Sequence, residues 1–402
     1  MEIPVIIPYT DHRETEEIAK VVQSGWFAQG PVVERFEKIV AEHEGVAHGI
    51  ATTSCTTALH LVMHAMEIGP GHDVLVPSFT FVASANSIAH TGAKPRFVDI
   101  VPETFCIDPL SVRKYIEDNY KYKEGKHVNK YDDGILKAIM VVHQFGLCAD
   151  MVSFTEIATE YELIIIEDSA CALGAMVGDK HQGQFENPSC LSFHPRKSIT
   201  TGEGGMILTD DAELANRLRG LRSHGATISA HVRHSSNSFA LPPFDSIGYN
   251  YRMTDIQAAM GLAQMEKFEF ILEKRRYRAM RYNKLLSGID WLTLPVESES
   301  YLHTYQSYVC MLSFDCLSIE EGGKKRDRIL TLLAENGIAT RQGAHASHML
   351  ECYRDKYGLD AEALPNSYKC DKLSLTLPLY VQMTDTEQDY VVEQLKETYK
   401  CL

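Results

Sequence analysis

Two stretches decide how this chain is read: Leu163-Ile164-Ile165-Ile166-Glu167-Asp168 and, further on, Ser192-Phe193-His194-Pro195-Arg196-Lys197. The first is an apolar run that ends in acids. Runs this short and apolar fit strands buried on both faces, as in a parallel sheet. The second follows another such run, Cys190-Leu191-Ser192-Phe193, and leads into Thr201-Gly202-Glu203-Gly204-Gly205. One strand ending in an aspartate beside another ending in a serine-to-lysine hexapeptide suits one chemistry. An aspartate can hold a protonated pyridine nitrogen, and a lysine amine can form a Schiff base with an aldehyde. Asp168 and Lys197 are therefore candidates for the two fixed points of a pyridoxal 5'-phosphate site. Taken singly, a lysine is more often a solvated charge and a strand-end aspartate more often a cap. The pairing, and the residues around it, shift the balance.

Working outward, β-type runs recur with helical segments between them. They are His48-Gly49-Ile50-Ala51, Val74-Leu75-Val76-Pro77, Arg96-Phe97-Val98-Asp99, Ile139-Met140-Val141-Val142, the two already quoted, and Met206-Ile207-Leu208-Thr209. This alternation predicts an α/β fold with a mostly parallel central sheet. Leu59, Val62, Met63 and Met66 recur at helical spacing and predict an amphipathic helix packed on that sheet. Thr254-Asp255-Ile256-Gln257 reads as a capping box, with one helix running on towards Leu286 and bridging two domains. We place a large domain at residues 1–270 and a smaller C-terminal α/β domain at residues 271–402. The latter holds β-type residues 305–312 and helical residues 326–335. Residues 120–133 read as a charged loop. So does Ser235-Ser236-Asn237-Ser238 with Pro242-Pro243 after it, in a stretch placed to cover the site.

Bulk properties narrow the partners. The chain has 402 residues, 45% hydrophobic and 23% charged, which suits a soluble two-domain protein. Its net charge of -15 and dispersed basic residues argue against a nucleic-acid partner. There is no n-region and h-region at the start and no bilayer-length apolar run, so neither export nor a membrane is expected. The ten cysteines are scattered and form no CxxC pair, which reads as reduced thiols in the cytoplasm.

Further candidates surround the lysine and the acid. Thr53-Ser54-Cys55-Thr56-Thr57 lies between the first strand and its helix, where free N-terminal amides can take a phosphate. An ordinary helix cap explains the same residues. A turn between Ser192 and Lys197 could aim the serine hydroxyl at that phosphate. Phe81 could stack on a ring, although a core aromatic is the default reading. His345 and His348 have ligand-like spacing, but without a third ligand motif they read as polar site-lining or structural groups, and no metal is expected. Arg252 and Arg341 are candidate anion partners.

Asp168, the Ser192-to-Lys197 hexapeptide, the Thr201-to-Gly205 run and Gly248-Tyr249-Asn250-Tyr251-Arg252-Met253-Thr254-Asp255-Ile256-Gln257-Ala258 together resemble the DegT/DnrJ/StrS family of sugar aminotransferases. The resemblance extends to Gly25-Trp26-Phe27-Ala28-Gln29-Gly30-Pro31 and to Leu377-Pro378-Leu379-Tyr380, and so covers nearly the whole chain. It implies a fold type I, aspartate-aminotransferase-like architecture working as a homodimer with shared sites. It implies that Lys197 bonds the cofactor and then shuttles protons, and that Asp168 keeps the ring nitrogen protonated. Thr56, Thr57 and Ser192 would hold the phosphate, Phe81 would stack on the ring, and Asn250 would reach the phosphate from the partner subunit. Glutamate as donor, a nucleotide-linked keto sugar as acceptor, and a pyridoxamine 5'-phosphate form of the cofactor between them follow from the resemblance alone. Two residues depart from the family pattern. Cys55 stands where glycine is frequent, and Cys171 stands where histidine or glutamine is common.

Other functions fit less well. A sugar dehydratase of the same family carries histidine in place of the lysine. A nicotinamide oxidoreductase needs a GxGxxG turn after an early strand, and residues 53–57 contain no glycine. A non-catalytic, cofactor-binding regulator would be expected to carry a DNA-binding segment or basic patch. The sugar, its carrier and the carbon aminated are not legible in the residues.

Overall fold

The computed structural model describes residues 2–226 and 243–401. Its central sheet runs in the order His48–Thr52, Gly205–Thr209, Ser189–Ser192, Ile164–Asp168, Ile135–Val142, His72–Pro77, Lys94–Val98. Along this path only Gly205–Thr209 runs against its neighbours. The expected mostly parallel α/β sheet is therefore present, and each expected run lies in or overlaps one of its strands. Because the other strands share a direction, their carboxyl ends gather along one edge. In open α/β sheets ligands bind in the crevice outside that edge.

The helix Cys55–Ala65 covers one face and is capped as the sequence anticipates. Ser54 accepts from the Thr57 amide, and Thr57 closes the capping box from its own side. Leu59, Val62 and Met63 are buried against the sheet, while Met66 is partly buried beside them. Thr254 likewise caps Asp255–Met265. Asp255 does a second job: its carboxylate accepts from the Gly30, Val32 and Val33 amides, at the start of the helix Pro31–His43. A carboxylate there satisfies free N–H groups and complements the helix dipole. Gly25 closes the preceding helix, His12–Ser24, at φ 73°, a left-handed value that glycine adopts without strain.

Two expectations are corrected. The single bridging helix is two, Asp255–Met265 and Phe268–Leu286. Lys267 leaves helical geometry at φ -121° between them, because its buried amine is drawn to Glu14 at 2.5 Å and Asp11 at 3.3 Å. A buried ammonium needs such partners, and the helix period does not supply them. The charged stretch at residues 120–133 is largely a β-hairpin, Tyr120–Lys123 with Lys126–Asn129. Glu124 and Gly125 turn it with φ of 51° and 77°, the paired positive values of a tight hairpin turn. Residues 235–238 and Pro242 lie outside the described residues.

A second, antiparallel sheet of Leu292–Thr293, Tyr308–Leu312 and Ser374–Leu377 is covered by Ile319–Glu335 and Asp385–Lys400. Ile3 packs into this C-terminal cluster and bridges to Ile338. Among the described residues no helix is long and apolar enough to cross a membrane, and all ten cysteines are free thiols.

One glycine decides how closely the sheet meets the helix that starts at Cys55. A Cβ on Gly205 would stand 2.4 Å from the Ser54 carbonyl carbon and 2.5 Å from the Cys55 nitrogen, both backbone atoms. Gly205→Ala should therefore destabilise the chain by about 1–3 kcal/mol. A lower urea midpoint with an unchanged slope is the expected reading.

Candidate active site

Asp168 ends the strand Ile164–Asp168 and is 5% exposed. Ser84 Oγ donates to Oδ2 at 2.7 Å, the Ala170 amide donates to Oδ1 at 3.1 Å, and the Cys55 thiol lies 3.9 Å from Oδ1. Among the described residues no cation pairs with it. A buried carboxylate held by hydrogen bonds but lacking a counter-charge is costly unless a cation joins it.

Lys197 ends a tight turn, its amide donating to the His194 carbonyl at 2.8 Å. The turn begins where Ser192 finishes the neighbouring strand, so both side chains reach the same edge. Lys197 Nζ lies 3.1 Å from Cys171 Sγ, its one hydrogen-bond partner among the described residues. Burial disfavours the ammonium, but Cys171, Cys55 and Asp168 outweigh it and hold the amine above its ordinary pKa. Cys55 and Cys190, by contrast, are buried thiols pushed well above their ordinary range, chiefly by loss of solvent. The departure at Cys55 is thus absorbed by packing: its thiol lies against Asp168 and the Cys190 carbonyl.

Phe81 is 68% exposed, so the default reading of a core aromatic is overturned. The short strand Phe79–Thr80 just before it pairs with His345–Ala346, which brings the C-terminal segment to the same edge. His345 is exposed, its Nδ1 2.8 Å from Gln342 Nε2. His348 is fully buried, with Nδ1 2.6 Å from Ser78 Oγ, and ties that segment to the end of the strand His72–Pro77. The Thr57 hydroxyl is engaged in its cap, whereas the Thr56 hydroxyl has no partner among the described residues.

Arg341 is half-buried, and its guanidinium has no hydrogen bond or ion pair among the described residues. Burial and Arg196 push it below its ordinary pKa, with Cys171 opposing. Arg252 instead donates to Ser223 Oγ at 3.1 Å, and burial with Arg222 lowers it. Asn250 is exposed and forms no hydrogen bond to Lys197 or Asp168 of its own chain. The Tyr251 carbonyl beside it accepts from the Thr53 amide at 3.0 Å, which holds this segment against residues 53–57.

Comparison with known proteins identifies the arrangement. The model of the DegT/DnrJ/EryC1/StrS aminotransferase family matches residues 8–396. The chain belongs to that family. Among DegT/DnrJ/EryC1/StrS relatives, it is 33% identical to the spore coat polysaccharide biosynthesis protein SpsC of Bacillus subtilis over 401 residues, covering 99% of this chain and 97% of SpsC. It is 34% identical to GDP-perosamine synthase of Caulobacter vibrioides, covering 98% of each. The solved structure of NtdA from Bacillus subtilis with bound cofactor PMP superposes at TM-score 0.80 and 30% identity, covering 97% of this chain and 83% of that one. The fold is accordingly that of the family's aminotransferases.

The residues present fit the family's cofactor. Among the described residues the carboxylate of Asp168 lacks a cation, as a site for a cationic ring nitrogen would, an exposed aromatic stands at the same edge, and the lysine amine is held only by a thiol. Sequence reasoning missed Ser84, whose hydroxyl orients Asp168. Its only trace there is a small polar residue on the helix Ala83–His90, and nothing in that helix points across to a strand-end acid.

The contact between Cys171 and Lys197 is testable. Cys171→Ser keeps an acceptor for the amine and should retain most turnover, whereas Cys171→Ala removes one of the groups that raise the amine's pKa. In the cofactor-free chain a raised pKa leaves less free amine at neutral pH, so cofactor loading should speed up as pH rises. Stopped-flow loading rates against pH should show that rise beginning at lower pH in Cys171→Ala than in the parent.

Proposed function

We propose that this aminotransferase moves an amino group from glutamate to a nucleotide-linked keto sugar, in the cytoplasm, as a homodimer with shared sites. The observation that carries the reading is the meeting of Lys197, the carboxylate of Asp168, which pairs with no cation among the described residues, and exposed Phe81 at the carboxyl edge of the sheet. Pyridoxal 5'-phosphate, when bound, supplies the aldehyde that takes up nitrogen and the electron sink that lets it be passed on. Asp168, oriented by Ser84 and the Ala170 amide, would hold the ring nitrogen. Lys197 would be the attachment point and afterwards the proton carrier over the reacting carbon. Thr56, Thr57 and Ser192 would hold the phosphate, with Asn250 of the second subunit joining them, and Phe81 would cover a ring face.

The guanidinium of Arg341, unpaired among the described residues, supports an anionic group on the substrate. His345 would stand at the rim, and Arg252 would be a second anion partner. We take residues 1–270 as the large cofactor-binding domain and residues 271–402 as the small one. The relative named for GDP-perosamine supports a nucleotide-linked sugar. The presence of Lys197 speaks for transamination over the dehydratase branch.

Glutamate alone should convert the yellow loaded enzyme to its aminated form with release of 2-oxoglutarate. A spectrum unchanged by glutamate but changed by another amino acid rejects the donor. Borohydride reduction and peptide mapping should place the cofactor on Lys197, and label on another lysine rejects the site.

Sharing of sites has its own test. Neither Lys197→Ala nor Asn250→Ala chains should turn over alone. Mixed dimers of the two contain one intact composite site and should recover part of the parent rate. Verified mixed dimers with no recovery would count against sharing.

A further inference from the structure

Outside the candidate site, His43, Glu44 and His181 bring one ligand-type atom each to within 4.8 Å of one another. His43 ends the helix Pro31–His43, Glu44 follows it, and His181 lies in the short strand Lys180–His181. Glu44 is fully buried. Its Oε1 lies 2.8 Å from His43 Nδ1 and accepts from the Gly174 amide at 3.0 Å. Its Oε2 accepts from Gln182 Nε2 at 2.6 Å and lies 3.8 Å from His181 Nδ1.

That last spacing is the informative one. His181 Nδ1 is buried and has no hydrogen-bond partner among the described residues. If it carries a proton, Oε2 is too far to accept it well. If it carries a lone pair, that lone pair faces a carboxylate oxygen with nothing between them. Two donors on one tetrahedral ion, with metal bonds of about 2.0–2.2 Å, stand roughly 3.4 Å apart, so a small side-chain adjustment suffices. The remaining contacts also suit a metal. His43 places its other ring nitrogen, Nε2, 2.9 Å from Glu269 Oε1, and ligating histidines habitually hold their second N–H on a carboxylate. Gly174 and Gln182 orient the Glu44 carboxylate in the same supporting way.

We propose that His43 Nδ1, Glu44 and His181 Nδ1 form a binding site for a zinc-class divalent cation, with water as the fourth ligand. Two imidazoles and one carboxylate favour zinc over magnesium or calcium, which take oxygen ligands. The competing arrangement is a proton on His43 Nδ1 shared with Glu44, and it leaves His181 Nδ1 without a partner among the described residues. The ion would pin the end of the helix Pro31–His43 to residues 174–182. That segment follows the loop carrying Cys171, and its strand Met176–Val177 pairs with Tyr301–Leu302. No single stretch of sequence contains the site, because its ligands come from positions 43, 44 and 181.

The test uses the full chain, stripped with chelator and titrated with zinc(II) by calorimetry, with magnesium(II) as control. We expect one tight zinc per chain, no comparable magnesium binding, and a thermal midpoint that rises with zinc. His181→Ala should lose at least 100-fold in affinity together with the thermal shift, and Glu269→Gln should lose about 10–100-fold. His181→Gln serves the same purpose if the alanine variant folds poorly. Anomalous scattering at the zinc edge should place the ion between the three side chains. An ion located elsewhere, no tight binding, or unchanged affinity in both His181 variants would overturn the proposal and leave only the proton-bridged pair or adventitious binding.

Discussion

A buried carboxylate that has no counter-charge among the described residues sets the terms for the rest of this molecule. Asp168 sits at the end of a central strand, where the alternatives for stabilising it are few. Hydrogen bonds offset part of the cost of keeping it from water. They come from three different directions: Ser84 on the helix Ala83–His90, the Ala170 amide in the following loop, and the thiol of Cys55 at the start of the helix Cys55–Ala65. The acid thereby fixes two helices against the sheet edge and still offers charge to a cation.

The cations nearby are arranged so that they do not neutralise it. A direct Asp168–Lys197 ion pair would quench both groups, leaving neither an acid for a ring nitrogen nor an amine free to react. Instead Lys197 Nζ rests on the Cys171 thiol, a weak partner that is readily exchanged. Arg341 stands half-buried and unpaired among the described residues, repelled by Arg196 rather than satisfied by an acid. Some other buried charges are paired with an opposite charge, as Lys267 is with Glu14 and Arg222 with Glu37, whereas buried Arg275 donates to the Tyr305 and Gln306 carbonyls. At the sheet edge, separated charge of this kind is what functional sites commonly carry.

The places where sequence reasoning went astray share a physical cause. In residues 120–133 high charge suggested a loop, but one strand of that hairpin is an exposed edge, where lysines are tolerated and even protective. The helix expected to run unbroken to Leu286 had the right apolar period on both sides of Lys267. What interrupts it is an ion pair with Glu14, far away in the chain. Phe81 carries no mark that distinguishes a core ring from one left open at a sheet edge. Its exposure depends on where the strand His72–Pro77 ends relative to its neighbours. Ser84 was silent for the same reason.

The sequence by itself determined the strand–helix alternation, a helix cap within residues 53–57, the capping box at Thr254, and the candidacy of Asp168 and Lys197. Each of these rests on residues close together in the chain, where periodicity, hydrogen-bonding side chains and strand-end chemistry act locally. The tertiary structure decided which groups meet. It put Cys171 against Lys197, Ser84 and Cys55 on Asp168, His345 beside the strand that leads to Phe81, and His181 beside Glu44. Those pairings join residues far apart in sequence, and parallel strand order and helix packing alone bring them within a few ångströms.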